Sequence, residues 1–371
     1  MNLLILLRNR LKKFIGGVLT FVGGPLTLWP KEALGHEAWL LTPDEMARLA
    51  VAPIPSVFQE IWPLSGFVVF IVLCSLAMLV FAEVFRKQER RLFSSLATLA
   101  PWIGPLAIRQ GLAVMLGLSA LGGLPRHGTE FWSVPTLMVP DMQIALAGEE
   151  WAWLAYAEFI IALCLFLGVL VRLSALALVT LVGFGFWVFG FPFLAYGPHF
   201  LAPALLLLLY GGGALSLDTA FRSNKAPLAT FEPAPTVWVW RLAMFLLGAT
   251  FVYLGIAYKL NQPTLLIAIL EHGDVPTFGL PLDLAALIMM LAELTAGALL
   301  AMGLLVRPIA IFLISAFTFF AVTIGETPLF HANLYGTMLM LLMIGDQGLS
   351  RDRSGVETTI YGRNIAACLM R

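Results

Sequence analysis

One stretch of the sequence occurs twice, each time inside a long apolar run. Residues 157–172 read AEFIIALCLFLGVLVR and residues 292–307 read AELTAGALLAMGLLVR, with seven of the sixteen positions identical. Each copy has a glutamate as its second residue, Glu158 or Glu293, and an arginine as its last. As continuous helix, the interval from glutamate to arginine would span about 21 Å. This spacing predicts an arginine at one membrane face and a carboxylate buried toward the other.

The composition places these runs in a lipid bilayer. Hydrophobic residues make up 60% of the 371 residues, and charged residues only 12%. A soluble protein of this size cannot bury so many apolar side chains. The runs are continuous rather than alternating, which excludes a β-barrel. The sequence therefore predicts an all-α fold, a polytopic membrane helical bundle.

The lysines and arginines set the expected orientation. Arg86, Lys87, Arg90 and Arg91 follow the first apolar span, which predicts that this end lies in the cytoplasm. Alternation from there predicts about nine transmembrane helices, with the N-terminus outside and the C-terminus in the cytoplasm. The spans are expected near residues 62–84, 104–121, 151–171, 174–194, 199–217, 237–258, 282–306, 308–325 and 329–345.

The duplication divides the chain into units. An offset of 132 residues pairs Arg109 with Arg241, His199 with His331, and Gly213 with Gly345. Each unit has an even number of spans, so both keep one orientation and form a tandem parallel four-helix repeat. The predicted segments are a signal peptide at 1–35, an outer segment at 36–61, an extra transmembrane helix at 62–85, a first four-helix unit at 104–218, a second at 236–346, and a cytoplasmic tail at 347–371.

Two of these segments rest on short motifs. Basic residues before an apolar run, and Ala33-Leu34-Gly35 after it, indicate a cleaved signal peptide, the alternative being an uncleaved anchor helix. Pro-Thr-Leu occurs in the long outer loop of each unit, at 135–137 and 263–265. The apolar residues that follow predict short amphipathic segments along the outer interface.

The repeated carboxylates are the main candidate site. A lone carboxylate in hydrocarbon is costly, so each must be protonated, paired or facing a polar cavity. Lys259, at the outer end of the preceding helix, is the expected partner of Glu293, and His127 is the corresponding candidate for Glu158. The alternative is that both glutamates form helix-to-helix hydrogen bonds that fix packing.

The histidines and two arginines add further candidates. All five histidines fall on the outer side of the predicted topology, and His199 and His331 begin matching helices where imidazole can exchange protons. No HxH, HxxH or HxxxH spacing occurs, so no metal site is predicted. Arg109 and Arg241 are either interfacial residues paired with Asp218 and Asp346, or anchors for a lipid or quinone head group. The sequence favours the first of these two roles.

The second unit carries the motif of a known family. It reads Arg241…Gly248…Gly255…Lys259-Leu260, then Ala292-Glu293…Gly303-Leu-Leu-Val-Arg307. This pattern resembles the four-helix DoxX-like integral membrane proteins. The first unit is similar through Arg109, Gly117, Glu158, Gly168 and Arg172, but has His127 where the family has lysine. The resemblance covers about residues 105–346.

The resemblance implies a bacterial-type inner-membrane protein associated with redox chemistry. Some members of the family are subunits of a thiosulfate:quinone oxidoreductase, and others accompany redox-defence proteins. We therefore expect a membrane subunit that binds a quinone between helices near the outer leaflet, in contact with lipids and with a soluble redox partner. No nucleic-acid partner is expected.

Residue roles follow from this hypothesis. Glu293 and His331 would handle protons in the second unit, and Glu158 and His199 would be their counterparts in the first. Lys259, Arg241 and Arg109 would contact the cofactor. Two other classes fit the same residues: a proton-coupled transporter or lipid-handling protein, and a non-catalytic membrane scaffold or assembly factor.

Overall fold

The computed structural model describes residues 41–85, 88, 91–124, 131–220, 237–324 and 327–345. The predictions made for the segments 1–35 and 347–371, for His127 and for Asp346 lie outside these residues. So do those for Arg86, Lys87 and Arg90.

The described residues form eleven main helices. They are α1 (Pro43–Ala50), α2 (Ile61–Val84), α3 (Ser94–Ala120), α4 (Trp153–Leu167), α5 (Val171–Phe189), α6 (Gly197–Tyr210), α7 (Val237–Leu254), α8 (Pro263–His272), α9 (Leu282–Ala301), α10 (Val306–Ile324) and α11 (Ala332–Ile344). Single α-helical turns occur at Ser56–Gln59, Ile144–Ala147 and Leu217–Ala220. Three short 3₁₀ segments lie at Glu149–Trp151, Phe191–Ala195 and Pro328–His331, and a π-helical segment at Gly255–Leu260 continues α7.

The fold is the all-α membrane bundle that the composition predicts. Seven helices in the described part of the chain are long and apolar enough to cross a bilayer, and together they define a multi-pass membrane protein. The other two predicted spans correspond to shorter apolar helices, Gly197–Tyr210 and Pro328–Ile344. Hydrogen bonds show that each of these two helices ends beside the start of the helix before it, so each runs back across the bundle. Arg172 at the start of α5 donates to the Leu209 carbonyl at the end of α6, and Arg307 bonds the end of α11 in the same way.

The repeated sequence forms a helix, a turn and the start of the next helix. Gly168 and Leu170 have φ of 72° and 50°, and Gly303 and Leu305 have φ of 65° and 51°. The left-handed glycine is a common helix terminator because it lacks a Cβ. Both units therefore contain the same turn between their second and third helices, 135 residues apart.

This turn corrects the prediction of one continuous helix from glutamate to arginine. Helix α4 ends at Leu167, so Arg172 is the second residue of α5, and Arg307 likewise belongs to α10. The apolar run continues through the turn, so hydropathy did not reveal the break. Each arginine is thus positioned to cap the fourth helix of its unit rather than to close the second.

The units exchange packing partners at the centre of the bundle. The second helix of each unit packs on its own first helix, α4 on α3 and α9 on α7. The fourth helix packs more on the first helix of the other unit than on that of its own, α6 on α7 and α11 on α3. The two units therefore form one continuous core.

The fourth helices follow a different register from the one predicted. Gly211 (φ 69°) directly follows α6 and Gly345 (φ 62°) directly follows α11, so these two glycines correspond, and the predicted pairing of Gly213 with Gly345 is wrong. Counted from the helix ends, His199 corresponds to Asn333 rather than to His331. A shift of two residues in an apolar helix changes no hydropathy signal.

The two outer loops differ in structure. In the second unit Pro263 begins α8, a ten-residue apolar helix that packs on α1 and α9, and Thr264 Oγ1 donates to the Leu49 carbonyl of α1 at 2.8 Å. In the first unit no such helix follows Pro135. Residues 137–139 are buried instead, and an isolated antiparallel bridge joins Thr136 to Gln143. The predicted surface segment is wrong for this unit.

Candidate functional site

Lys259 and Glu293 form an ion pair inside the second unit. The Lys259 ammonium donates to Glu293 Oε2, which confirms the pairing expected from the sequence. Glu293 lies eleven residues into α9, about 16 Å from its first residue at 1.5 Å per residue. The side chains keep 24% and 16% of their exposure, so the pair is not sealed within the protein.

Small residues bring the two helices that carry the pair together. A methyl group at Gly248 would overlap Gly297 and Ala301 of α9, and one at Gly255 would overlap Leu294. Such close backbone approach is the usual basis of helix association in membranes. Lys259 itself lies in the π-helical segment, and π-helical turns occur frequently at functional sites.

Glu158, the corresponding carboxylate of the first unit, has a different environment. It is fully buried, and its Oε1 accepts a hydrogen bond from the Met138 backbone N–H at 2.9 Å. Met138 has φ of 67°, a conformation that the inserted outer loop imposes. Nearby, the Ser119 hydroxyl donates to the Thr136 carbonyl at 2.8 Å and so holds the same loop. Glu158 thus fixes a loop, which favours the packing alternative for this residue.

The two candidate histidines lie in one aromatic cluster where the units meet. His199 is 6% exposed, and its ring centroid lies 4.9 Å from that of Phe251 on α7. Phe251 lies 6.1 Å from Phe317 on α10, which stacks on His331 at 5.3 Å. Phe251 and Phe317 thus connect the two imidazole rings through a continuous series of ring contacts. His199 Nε2 has no hydrogen-bond partner among the described residues.

The predicted site residues therefore form two separate groups in the structure, and Glu158 lies outside both. Lys259 and Glu293 form one, and His199 and His331 form another together with Phe251 and Phe317. Helix α7 links them, because Phe251 precedes Lys259 by eight residues, about 12 Å along a helix. Glu158 binds the first-unit loop instead. The histidines are linked to the ion pair because Phe251 and Lys259 lie on the same helix. They are not linked by occupying equivalent positions in the repeat.

Arg109 and Arg241 do not have equivalent environments. Arg109 is 1% exposed and donates to the carbonyl oxygens of Leu165, Phe166 and Leu215, which caps the end of α4. Asp218, its expected partner, accepts hydrogen bonds from the N–H groups of Leu170 and Val171 at the start of α5. Arg241 is exposed, with its guanidinium 6.0 Å from the Trp238 ring. These contacts support the structural role for Arg109 and an interfacial one for Arg241.

The sequence predicts Arg307 only as the end of a span, but in the structure this side chain is buried. It is 2% exposed, donates to the carbonyls of Leu342, Met343 and Ile344, and lies 5.1 Å from the ring of Phe93. The signal was present, because the arginine recurs in both copies of the repeat. Its role as a cap depends on the end of α11 lying beside it, which only the structure shows.

Fold and site together define a class, a multi-pass membrane protein of two related four-helix units. Among the described residues, Glu293 is paired with a cation and Glu158, its counterpart, is not. Within the described ranges, no three His, Cys, Asp or Glu side chains are grouped as metal ligands would be. Comparison of the chain with protein-family models, with curated proteins and with solved structures finds no match. The resemblance to DoxX-like proteins stays a prediction.

Proposed function

We propose that this protein is a DoxX-like, redox-associated subunit of a bacterial-type inner membrane, and that it binds a quinone beside Lys259 and Glu293 in the outer half of the bilayer. The observation that carries the proposal is the ion pair of these two residues, set within apolar helices yet still partly accessible. The N-terminal side of the membrane is taken as the outside, following the distribution of basic residues.

The energetics of the pair support a functional role. Removing two charges from water is costly, and their mutual attraction often repays only part of that cost. The first unit buries its carboxyl group at Glu158 with a backbone N–H as the donor. The four-helix fold therefore does not require a lysine as partner to a carboxyl group at this position. A pair that the fold does not need, and whose two side chains are partly exposed, is a functional-site candidate.

The residues fit a quinone by their chemistry. A quinone supplies two carbonyl oxygens and accepts two electrons and two protons on reduction to the quinol. Lys259 has three N–H donors and can bond a carbonyl oxygen while still contacting Glu293. Glu293 can exchange a proton with an oxygen in its reach, and His331, at the outer end of the bundle, can exchange protons with water. The electrons would come from a soluble partner at the outer face.

A proton-coupled transporter is the second candidate, and two helix irregularities favour it. The π-helical segment Gly255–Leu260 forms the end of α7 beside the ion pair, and Pro203 lies inside α6. Broken helices near the bilayer midplane are typical of transport sites. A scaffold without turnover is the third candidate, and it would need no accessible ion pair.

The test is quinone binding by the full chain in lipid nanodiscs. Short-chain ubiquinone and menaquinone analogues are titrated by quenching of tryptophan fluorescence, and quinone that co-purifies is measured by extraction and mass spectrometry. We expect Glu293→Gln and Lys259→Met each to weaken binding at least about tenfold, the effect of losing about 1.4 kcal/mol. Glu271→Gln, an exposed glutamate on α8, is the matched control and should bind like the wild type.

A double variant separates binding from folding. Lys259→Met with Glu293→Gln leaves no charge unpaired, so it should fold while still failing to bind. Wild-type affinity in the folded double variant would overturn the proposal. Proton movement in proteoliposomes that needs no quinone but is lost in the same variant would favour the transporter instead.

A further inference from the structure

The second helices of the two units are covered to very different extents. Helix α9 has no exposed residue between Leu282 and Ala301. Helix α4, its counterpart, has seven exposed residues out of fifteen: Trp153, Tyr156, Phe159, Ile160, Leu163, Phe166 and Leu167. Related helices in a duplicated fold are expected to meet similar surroundings. Something therefore covers α9 that is missing from α4.

The cover on α9 comes from outside the four-helix unit. Helix α2, the extra transmembrane helix, packs on α9, and α8 packs on its outer end. Leu287 and Leu291 of α9 form one apolar cluster with Phe67 and Ile71 of α2. In the described part of the chain, the helices that pack most on α4 are α3 and α5 of its own unit.

Matching positions show the contrast directly. The offset of 135 residues that relates Glu158 to Glu293 also relates Tyr156 to Leu291. Leu291 is 6% exposed and Tyr156 is 74% exposed. The bare face of α4 is thus the counterpart of the face on which α2 sits in the second unit.

Helix α2 also has a second, unused face. It is the least buried of the seven candidate spans, and it is apolar all round. Its exposed residues include Val69, Phe70, Leu73 and Phe81. Among the residues that the structure describes, α2 touches its own chain on one side only. A helix that is apolar on every side and is covered on one side has a face available for another helix.

We infer that α2 of a second copy of this chain packs on the bare face of α4. Helices α2 and α4 run in the same direction through the bundle, as α2 and α9 do, so the contact would give α4 a parallel neighbour like that of α9, made by the second face of α2. Each α2 would then lie between α9 of its own chain and α4 of the next. This contact is heterologous, so it builds a closed ring or an open row of copies.

Cysteine cross-linking in native membranes tests this contact. Cys74 is exposed on α2, one turn beyond Ile71. Because Ile71 is in the cluster of Leu291, the counterpart of Tyr156, Cys74 should lie level with Ile160. In a chain with Cys164→Ala and Cys368→Ala, the variant Ile160→Cys should give disulfide-linked dimers and a ladder of higher oligomers on oxidation. The ladder is expected because each copy contributes one thiol to each of two neighbours.

The matched control places a thiol elsewhere at mid-helix. Ser315→Cys, in the same background, puts it at an exposed position of α10, and we expect no ladder. Native mass spectrometry from nanodiscs should show oligomers for the chain with its native cysteines. Equal cross-linking in the two variants, a single dimer through Cys74 alone, or a monomer covered by lipid would each overturn the inference.

Discussion

At the scale of single residues, the repeated carboxylate serves two purposes in one chain. Glu293 faces a lysine and keeps some exposure, while Glu158 is fully buried against a backbone N–H. The difference arises from the outer loops, because Met138 is carried inward by its loop and Lys259 extends from the end of α7. One sequence motif therefore produced a packing residue in one unit and a candidate ligand site in the other.

The role of Glu158 as a hydrogen-bond acceptor leads to a prediction. Glu158→Leu should lower the free energy of unfolding by about 1–3 kcal/mol, because the buried Met138 N–H would lose its acceptor. Glu158→Gln keeps a carbonyl oxygen at the same place and should retain most of the stability. Thermal unfolding of both variants in nanodiscs measures this. Equal loss in the two would mean that the charge, and not the acceptor, is what matters.

At the scale of helices, glycines decide how closely the two units approach. A methyl group at Gly111 of α3 would overlap the backbone of Ala332 and Asn333, and one at Gly336 of α11 would overlap Ala107. The corresponding crossing of α6 and α7 has buried alanines at matching positions, Ala202 and Ala243. Small residues allow backbone contact, which drives association where lipid removes the hydrophobic effect.

The crossing of α3 and α11 should therefore tolerate no added methyl group. Gly111→Ala or Gly336→Ala should cost about 1–3 kcal/mol of stability, since two backbones would have to move apart. Gly183→Ala is the control, because nothing lies within 4 Å of the new methyl group. It should be neutral or stabilise by about 0.5–1 kcal/mol. A loss of melting temperature in the control as large as in the others would refute the explanation.

At the scale of the whole molecule, the two ends of the bundle differ in character. The three described histidines, His199, His272 and His331, lie at one end with α1 and α8. The other end carries Arg109, Arg172 and Arg307 as caps on helix termini. Basic residues favour the cytoplasmic side, so the histidine end should face outward.

Labelling from outside the membrane tests the orientation. Ala47→Cys on α1 and Ala220→Cys after α6 place thiols at exposed positions of opposite ends. In cells with a permeable outer membrane, an impermeant maleimide should label Ala47→Cys directly and Ala220→Cys only after the inner membrane is opened. The reverse pattern would move the proposed quinone site to the inner leaflet.

The sequence alone determined the properties that depend on composition and on neighbours along the chain. Apolar runs require helices because a bilayer leaves backbone groups no other partner, and the repeat identified the units. The partnership of Lys259 with Glu293 was also predictable, because successive helices of a unit are neighbours and opposite charges in lipid attract strongly.

Only the tertiary structure decided which distant groups meet. The exchange of fourth helices, the burial of Arg109 but not Arg241, the partner of Glu158 and the clustering of His199 with His331 all depend on packing between units. In lipid this packing follows side-chain shape and small-residue contacts, which hydropathy does not record. The break after Leu167 also depends on the tertiary structure, since an apolar turn and an apolar helix have the same composition.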